Sequence, residues 1–561
     1  MVDLTGIAIL RGMSSPVPRR ILRLPSHAPW SAAALLALVV AAMPLQARVL
    51  SAKIARVTTA VAELQQVQIT LDWPARATQG SLRLRAGHID APDLGYRFRD
   101  VDWRCPLSRD GKGGWRCEGV LQAGRGRPMR LALNLASAST DAVLASGSGR
   151  VELHRQAAAP DDTTIDLVRV PLAWTQALLS QAWKDGKLHG GTVDANLVVH
   201  APTKPPLQVT GTVRLSDAAV ETPDASIAAE HLNAQLRIDY RHTGGNAPAS
   251  SVSLAGELRG GEMLFGTAYV ALPKTPVALR IDGDQRGSDG WRLPHIEWRD
   301  GDALQANGTM SFTRNTDLQN LDLILRSGNL SPVVARYLSG TLAAAGLSDL
   351  SLAGALDGRI RFASGHLAAA DVRLRSIALN DAKSRFRFDA IDGDIAYSDS
   401  ASIDSALQWS GGQLYGIDFG RAMLPLRSAD GQVTLRSAVS VPALGGKLRF
   451  DTFELRPPVG DQGMQMHFGL TLDAMDVGKL AKALDWPAFH GTLDGSIPNA
   501  RYADDRLDFD GGLSMRVFGG EVSVSSLSME RPFGVAPTLS ADIAIDDLDL
   551  LAVTEVFDFG S

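Results

Sequence analysis

The stretch Met464-Gln465-Met466-His467-Phe468-Gly469-Leu470-Thr471-Leu472 alternates apolar and polar side chains with a period of two. Successive side chains of a β-strand point to opposite faces, so this spacing predicts a half-buried strand with one oily face and one wet face. The same alternation appears at Leu207-Gln-Val209-Thr-Gly211-Thr-Val213-Arg-Leu215, and over residues 67–71, 129–135, 252–258, 433–441 and 539–545. Turn signals such as "RGG", "DGD", "SGG" and "ADG" separate the runs. Long apolar runs buried on both faces, the mark of a parallel sheet, do not occur, so the sheet is expected to be mainly antiparallel.

Four short helical patterns interrupt the strands. The first starts at Pro171 in "PLAWTQALLSQAWKDGKLHGG", and the second at Ser331 as N-cap with Pro332 in the first turn. In the third, Asp476 caps "VGKLAKAL"; the fourth is "LDLLAVTEVFDFGS". A G-x-[LV]-x-[GA] strand follows the first three, as in Gly354-Ala-Leu356-Asp-Gly358 and Gly491-Thr-Leu493-Asp-Gly495. A recurring helix and strand at long spacing reads as a stacked repeat. The fourth has no following strand, which reads as an array cut short at Ser561. Double-glycine turns recur inside the units at Gly260-Gly261, Gly411-Gly412, Gly445-Gly446 and Gly519-Gly520, where positive φ or close strand packing is expected.

Two features concern the compartment. Arg19, Arg20 and Arg23 precede the uncharged stretch "APWSAAALLALVVAAMPLQA", which fits either a secretory signal or an uncleaved inner-membrane anchor over residues 1–50. The only two cysteines, Cys105 and Cys117, stand in a duplicated Trp-Arg-Cys tripeptide on either side of a Gly-rich turn. A β-hairpin would place them on neighbouring strands, where a disulfide can form in an oxidising compartment; two reduced core cysteines are the alternative.

Chemistry is hard to find. No nucleophile elbow, H-E-x-x-H, phosphate loop or dinucleotide fingerprint occurs, so no enzyme, no catalytic residue and no cofactor is expected. The eleven histidines form no metal-ligand pair, and His189 and His467 read as surface or strand residues. "DGDQRGSDGWRL" from Asp282 has Arg286 and Leu293 where a calcium loop needs oxygen ligands, and reads as a hairpin turn. Asp300 with Asp302, and Asp504 with Asp505, are expected to be solvated turn residues. "GRGRP" (124–128) is a basic loop able to meet anionic headgroups, or simply exposed. A net charge of −5 gives no bias toward nucleic acid.

The apolar face remains, and something must cover it. In closed sandwiches the cover is a second sheet; in an open curved sheet it can be lipid hydrocarbon, at about 0.8 kcal/mol per buried methylene. Alternation does not choose between them, and periodicity alone slightly favours the closed β-sandwich.

The stretch "MRVFGGEVSVSSLSMERPFGVAPTLSADIAIDDLDLLAVTEVFDFGS" (515–561), together with the repeated helix and G-x-L-D-G units, resembles the AsmA-like superfamily of Gram-negative envelope proteins. Within it, the likeness is to the YdbH-like branch, labelled "dicarboxylate transport". Phe518-Gly519-Gly520-Glu-Val522, the strand and turn from Ser526 to Gly534, Asp547-Leu548-Asp549-Leu550 and the Phe559-Gly560-Ser561 ending carry it. It covers the chain from about residue 160 onward. The resemblance implies an inner-membrane anchor followed by a periplasmic rod whose concave apolar face conducts phospholipids toward the outer membrane. Family members are longer, so the stop at Ser561 departs from the pattern.

The expectation is therefore a mainly β chain, an elongated repeating antiparallel β-groove with short helices at unit boundaries. Its divisions are an N-terminal β segment with the cysteine hairpin (51–160) and groove units at 161–325, 326–470 and 471–561. Phospholipid acyl chains would lie against Val209, Val213, Leu215, Leu254, Leu258, Val433, Leu435, Met466, Phe468, Leu470, Ile543 and Ile545. The location is the periplasmic side of the inner membrane, or the soluble periplasm after signal cleavage. Phospholipids, the inner membrane and outer-membrane or periplasmic proteins are the partners; nucleic acid and metal are not. The alternative is a non-enzymatic scaffold for outer-membrane biogenesis with closed β-sandwich units; a hydrolase or carbohydrate-binding protein ranks third.

Overall fold

The computed structural model describes residues 49–557 apart from 59–61, 75–76, 92–94, 112, 178–179, 181–185, 203–205, 245–247, 267, 288, 315–316, 345, 458–462 and 533–536. The signal or anchor expected over residues 1–50 lies almost wholly outside the described residues. The chain is mainly β, with antiparallel pairing throughout the described strands. It divides into two compact units, Met1–Asn246 and Ala247–Ser561.

In the first unit each strand pairs with its neighbours in sequence. The strands are β1 (Val49–Thr58), β2 (Glu63–Asp72), β3 (Gln79–Ala91), β4 (Tyr96–Arg109), β5 (Trp115–Ala123) and β6 (Met129–Leu135). They continue as β7 (Ser139–Ser146), β8 (Gly149–Gln156), β9 (Asp162–Pro171), β10 (Lys187–His200), β11 (Leu207–Glu221) and β12 (Ile227–Thr243). A 3-10 turn, Leu172–Thr175, starts behind Pro171 between β9 and β10.

The second unit repeats the plan with a variation. Two short hairpins are inserted between its long strands: Glu262–Phe265 with Ala268–Ala271, and Gly411–Leu414 with Ile417–Phe419. A π-helical turn, Val334–Leu338, runs into helix Ser339–Ala344; later helices are Val477–Ala483 and Leu550–Phe557.

Asp476 caps its helix by accepting from the Lys479 N–H at 3.2 Å. Ser331 does not act as a cap: Asn329 Oδ1 accepts the Ser331 N–H at 3.1 Å, and the helical turn begins beyond Val333. Residues 433–441 are not one strand but two, Gln432–Leu435 and Val439–Ala443. Between them Arg436 turns away, its N–H bonded to the Pro425 carbonyl and its guanidinium 3.2 Å from Asp404. Gly445 adopts φ +80° in a turn, and a Cβ on Gly412 would run into the Arg387 carbonyl, so one double-glycine site serves turning and the other close packing.

Candidate functional site

Register decides which side chains share a face, because residues directly opposite in a ladder point the same way. In the first unit one row runs Leu131, Leu144, Val151, Leu167, Ala195, Val213, Leu236 across seven consecutive strands. In the second, another runs Leu254, Ile281, Ile296, Gly308, Leu323, Ile360, Ala370, Tyr397. Each unit thus carries an aliphatic face that continues from strand to strand.

The opposite face is charged and internally paired. Arg83 meets Asp102 at 2.6 Å, Arg359 meets Asp322 at 2.6 Å and Arg427 meets Asp404 at 2.7 Å. The hydrogen bond from Arg83, with lesser help from Arg104, holds the Asp102 carboxyl below the usual carboxylate range. The Arg83–Asp102 pair is half-buried and the other two are largely exposed, so each adds little stability; their value is to keep that face wet.

The apolar face is only partly covered. Leu131, Leu144, Val151, Leu167, Val213 and Leu236 are all half-buried, as are Leu254, Ile281, Ile296, Leu323 and Ile360. Inward-facing aliphatics of a closed sandwich interdigitate with a second sheet about 10 Å away and lose nearly all their exposure. In the second unit Phe419 of the inserted hairpin packs with Trp409, Val439 and Val441, and elsewhere helical segments lie on the face. Leu172 and Trp174 join Val170, Val193 and Val213. Val333, Tyr337 and Leu338 join Leu356, Leu374 and Ile377, and Val477 and Ala481 join Phe489, Leu493 and Val517.

Two hydrogen bonds show that the sheets curl. The Tyr96 hydroxyl at the start of β4 donates to the Trp174 carbonyl, just beyond β9, at 2.6 Å. Five ladder steps would separate those strands by about 24 Å in a flat sheet. In the second unit the Tyr415 hydroxyl, at the tip of the Gly411–Phe419 hairpin, donates to the Pro532 carbonyl at 2.8 Å. There the ladder path from Ile417–Phe419 to Gly520–Glu530 is six steps, about 29 Å if flat. Trp174 itself packs on the apolar cluster, so in the first unit the oily face is the concave one.

All twelve expected lining residues lie on the apolar faces. Val209, Val213 and Leu215 share theirs with Tyr240, Leu236 and Ala234. Leu254 and Leu258 oppose Ile281 and Val277, and Val433 and Leu435 oppose Leu455 and Leu426. Met466, Phe468 and Leu470 oppose Tyr502, Ala500 and Ile497. They differ in exposure: Leu258 and Val433 are buried, while Ile543 and Ile545, both 61 % exposed, stand on strand Thr538–Asp546, which pairs on one side only among the described residues.

Cys105 and Cys117 are bonded across β4 and β5, on the apolar face beside Leu82, Trp103 and Leu107.

Asp300 is not a solvated turn residue. It is 3 % exposed, accepts from Arg336 Nη1 at 2.7 Å and from the Tyr337 hydroxyl at 2.8 Å, and so pins the π-helical turn to the sheet. Burial pushes the Tyr337 phenol well above its ordinary value, which keeps it a donor. Asp282 and Asp284 are side chains of strand Val277–Arg286, bonded to Ser253 and Arg292.

No protein-family model matches the chain, and no curated protein matches it.

Proposed function

We propose that the chain holds phospholipid acyl chains along its concave apolar faces and conducts them, as a bridge-like periplasmic protein of AsmA-like kind, between the inner and outer membranes. One observation carries the reading: aliphatic rows that run unbroken over seven strands stay half-exposed in a sheet curled toward them. Leaving them to water would cost about 25 cal/mol for every Å² of apolar surface, and a flexible hydrocarbon chain fits a trough of Leu, Val, Ile and Ala without polar recognition. Passage along such a trough needs no covalent chemistry, so no residue is assigned a catalytic role.

Photoactivatable acyl-chain phospholipid tests this on the full chain. Crosslinks should map to peptides carrying Leu144, Val213 and Leu323, and Leu144→Asp, Val213→Asp or Leu323→Asp should remove them locally with secondary structure unchanged. A wild-type chain that purifies free of lipid by native mass spectrometry and takes no crosslink would make the apolar faces protein-covered, as in the scaffold alternative.

A further inference from the structure

In the first unit the two ends of the strands differ in charge. At the end where β1, β3, β5, β7 and β9 finish, Arg56, Arg97 and Arg150 are paired with Glu63, Asp90 and Glu152. At that same rim the guanidinium groups of Arg99, Arg125, Arg127, Arg130 and Arg169 are exposed and meet no carboxylate among the described residues; the Arg169 backbone N–H donates to Asp194. Arg125 and Arg127 form the tip of the β5–β6 loop, between Gly124, Gly126 and Pro128. The opposite rim carries Asp72, Asp110, Glu118, Asp141, Asp161 and Asp162 against Arg109, Arg116 and Arg155. Both edges mix the signs, with Asp100 also exposed at the first, but the excess is arginine at one and carboxylate at the other.

The basic rim borders the oily face directly. Met129 follows Arg127 by two residues and opposes Leu121, and from it Leu131, Leu133 and Leu135 run along β6 to the other rim, about 20 Å away. Val170, next to Arg169, is buried in the apolar cluster. An amphiphile lying along the strands would therefore meet an excess of guanidinium groups at one end and of carboxylates at the other.

Resting on the acyl-chain reading above, we propose that this arginine rim receives the phosphate headgroups of lipids lying in the first unit, and that it selects net-anionic phospholipids over zwitterionic ones. Guanidinium forks bind phosphate oxygens with two parallel hydrogen bonds, and each adds attraction that an ethanolamine amine offsets and a glycerol headgroup does not. The acidic rim repels the same headgroup, so the lipid enters in one orientation.

The test offers the full-length chain vesicles of equal parts phosphatidylglycerol and phosphatidylethanolamine, each with a photoactivatable acyl chain, and reads the crosslinked lipid by mass spectrometry. Wild type should take phosphatidylglycerol about 25-fold over phosphatidylethanolamine, at roughly fivefold discrimination for each of the two loop arginines engaged. Arg125→Glu with Arg127→Glu should bring the ratio near one with total crosslinking and melting temperature kept. Arg116→Glu with Arg155→Glu, at the other rim, should leave the preference intact. Lipid bound without preference in wild type, or an equal shift in both double variants, overturns the rim assignment and leaves the acyl-chain reading standing; no lipid of either class overturns that reading instead. Binding of water-soluble glycerol 3-phosphate to wild type but not to Arg125→Glu/Arg127→Glu, with no lipid preference, would assign the rim to free phosphate and also overturn the proposal.

Discussion

Asp494 accepts, at 2.8 Å, a hydrogen bond from the backbone N–H of Ala474, a residue held at φ +49° where strand Gln465–Asp476 bulges before its helix. Asp494 is the acidic residue of Gly491-Thr-Leu-Asp-Gly495. Asp194, in the equivalent place of Gly191-Thr-Val-Asp-Ala195, accepts from the N–H of Arg169 at 2.9 Å, and Arg169 is also left-handed, at φ +46°. Asp392 does the same for Ser376, at 2.7 Å and φ +47°. A bulge leaves one N–H out of the ladder, and a short carboxylate on the next strand satisfies it. The recurring contact is thus a cap for a left-handed bulge residue, which at Arg169 and Ala474 stands just before a helical segment. In the third copy Asp357 instead pairs with Arg326 at 2.9 Å and Arg375 at 2.7 Å.

Asp494→Ala should lower stability by about 1–2 kcal/mol, since the orphaned N–H is exposed enough to find water. Asp494→Asn, which keeps an acceptor oxygen, should recover most of it. Urea unfolding of both variants checks this: equal losses would mean that the charge, through its 2.8 Å contact with Arg516, matters more than the cap.

Asp381 and Arg385 form the least exposed ion pair described, at 2.8 Å, with side-chain exposures of 0 % and 8 %. Arg385 also donates to the Gly346 carbonyl at 3.0 Å, which ties the loop after helix Ser339–Ala344 to the turn. The Arg385 hydrogen bonds hold the Asp381 carboxyl below the usual carboxylate range. A carboxyl depressed on folding stabilises fully above its unfolded pKa, near 4, and the contribution fades as pH falls through the folded value. Acid unfolding of Asp381→Leu/Arg385→Met should therefore be less steep below about pH 4 than that of wild type. At neutral pH Asp381→Asn alone should cost about 3–5 kcal/mol by leaving a buried guanidinium unbalanced, and adding Arg385→Met should restore much of it.

Alternation made the faces legible in advance, because period two is set by backbone geometry alone: each expected lining residue shares its face with an apolar partner in the next strand. Curl was not legible. It is visible only in contacts such as Tyr96 with Trp174, 78 residues apart, which no local pattern encodes. Asp300 was misread for a similar reason, since two adjacent turn-like carboxylates look solvated until Arg336 and Tyr337 arrive from a segment 36 and 37 residues away. The break at Arg436 was hidden because Val433 to Val441 keeps its alternation of side chains while the backbone leaves the ladder. The cap role of Asp494 had one signal, an acidic residue at a fixed place after each helix, whose meaning needed the bulge on the preceding strand.

The Cys105–Cys117 bond closes a loop of 12 residues in sequence separation on the apolar side of β4 and β5. Replacing both by Ser should cost about 2–3 kcal/mol on the chain-entropy account, plus the burial of two hydroxyls among Leu82, Trp103 and Leu107. Replacing both by Ala removes the second contribution. Hydrogen exchange should rise over residues 96–123 in either variant and stay unchanged beyond residue 247; a uniform rise would make the bond a determinant of the whole chain.

The hairpin tip at Tyr415 is the point where the curl of the second unit is fastened. Burial pushes the Tyr415 phenol up, so at neutral pH it remains a donor to the Pro532 carbonyl. Gly416 beside it sits at φ +82°, and a Cβ there would lie 2.5 Å from the Ala483 carbonyl, at the end of helix Val477–Ala483. Tyr415→Phe removes one hydrogen bond and should cost about 1 kcal/mol, while Gly416→Ala adds strain and a clash and should cost more. Both changes loosen the same contact, so both should raise hydrogen exchange in residues 477–483 and 520–530 and leave 350–380 unaltered. If lipid lies under the curl, they should also speed acyl-chain exchange with vesicles in the same order, Gly416→Ala over Tyr415→Phe. Faster amide exchange without faster lipid exchange would separate the fastening of the sheet from access to its apolar face.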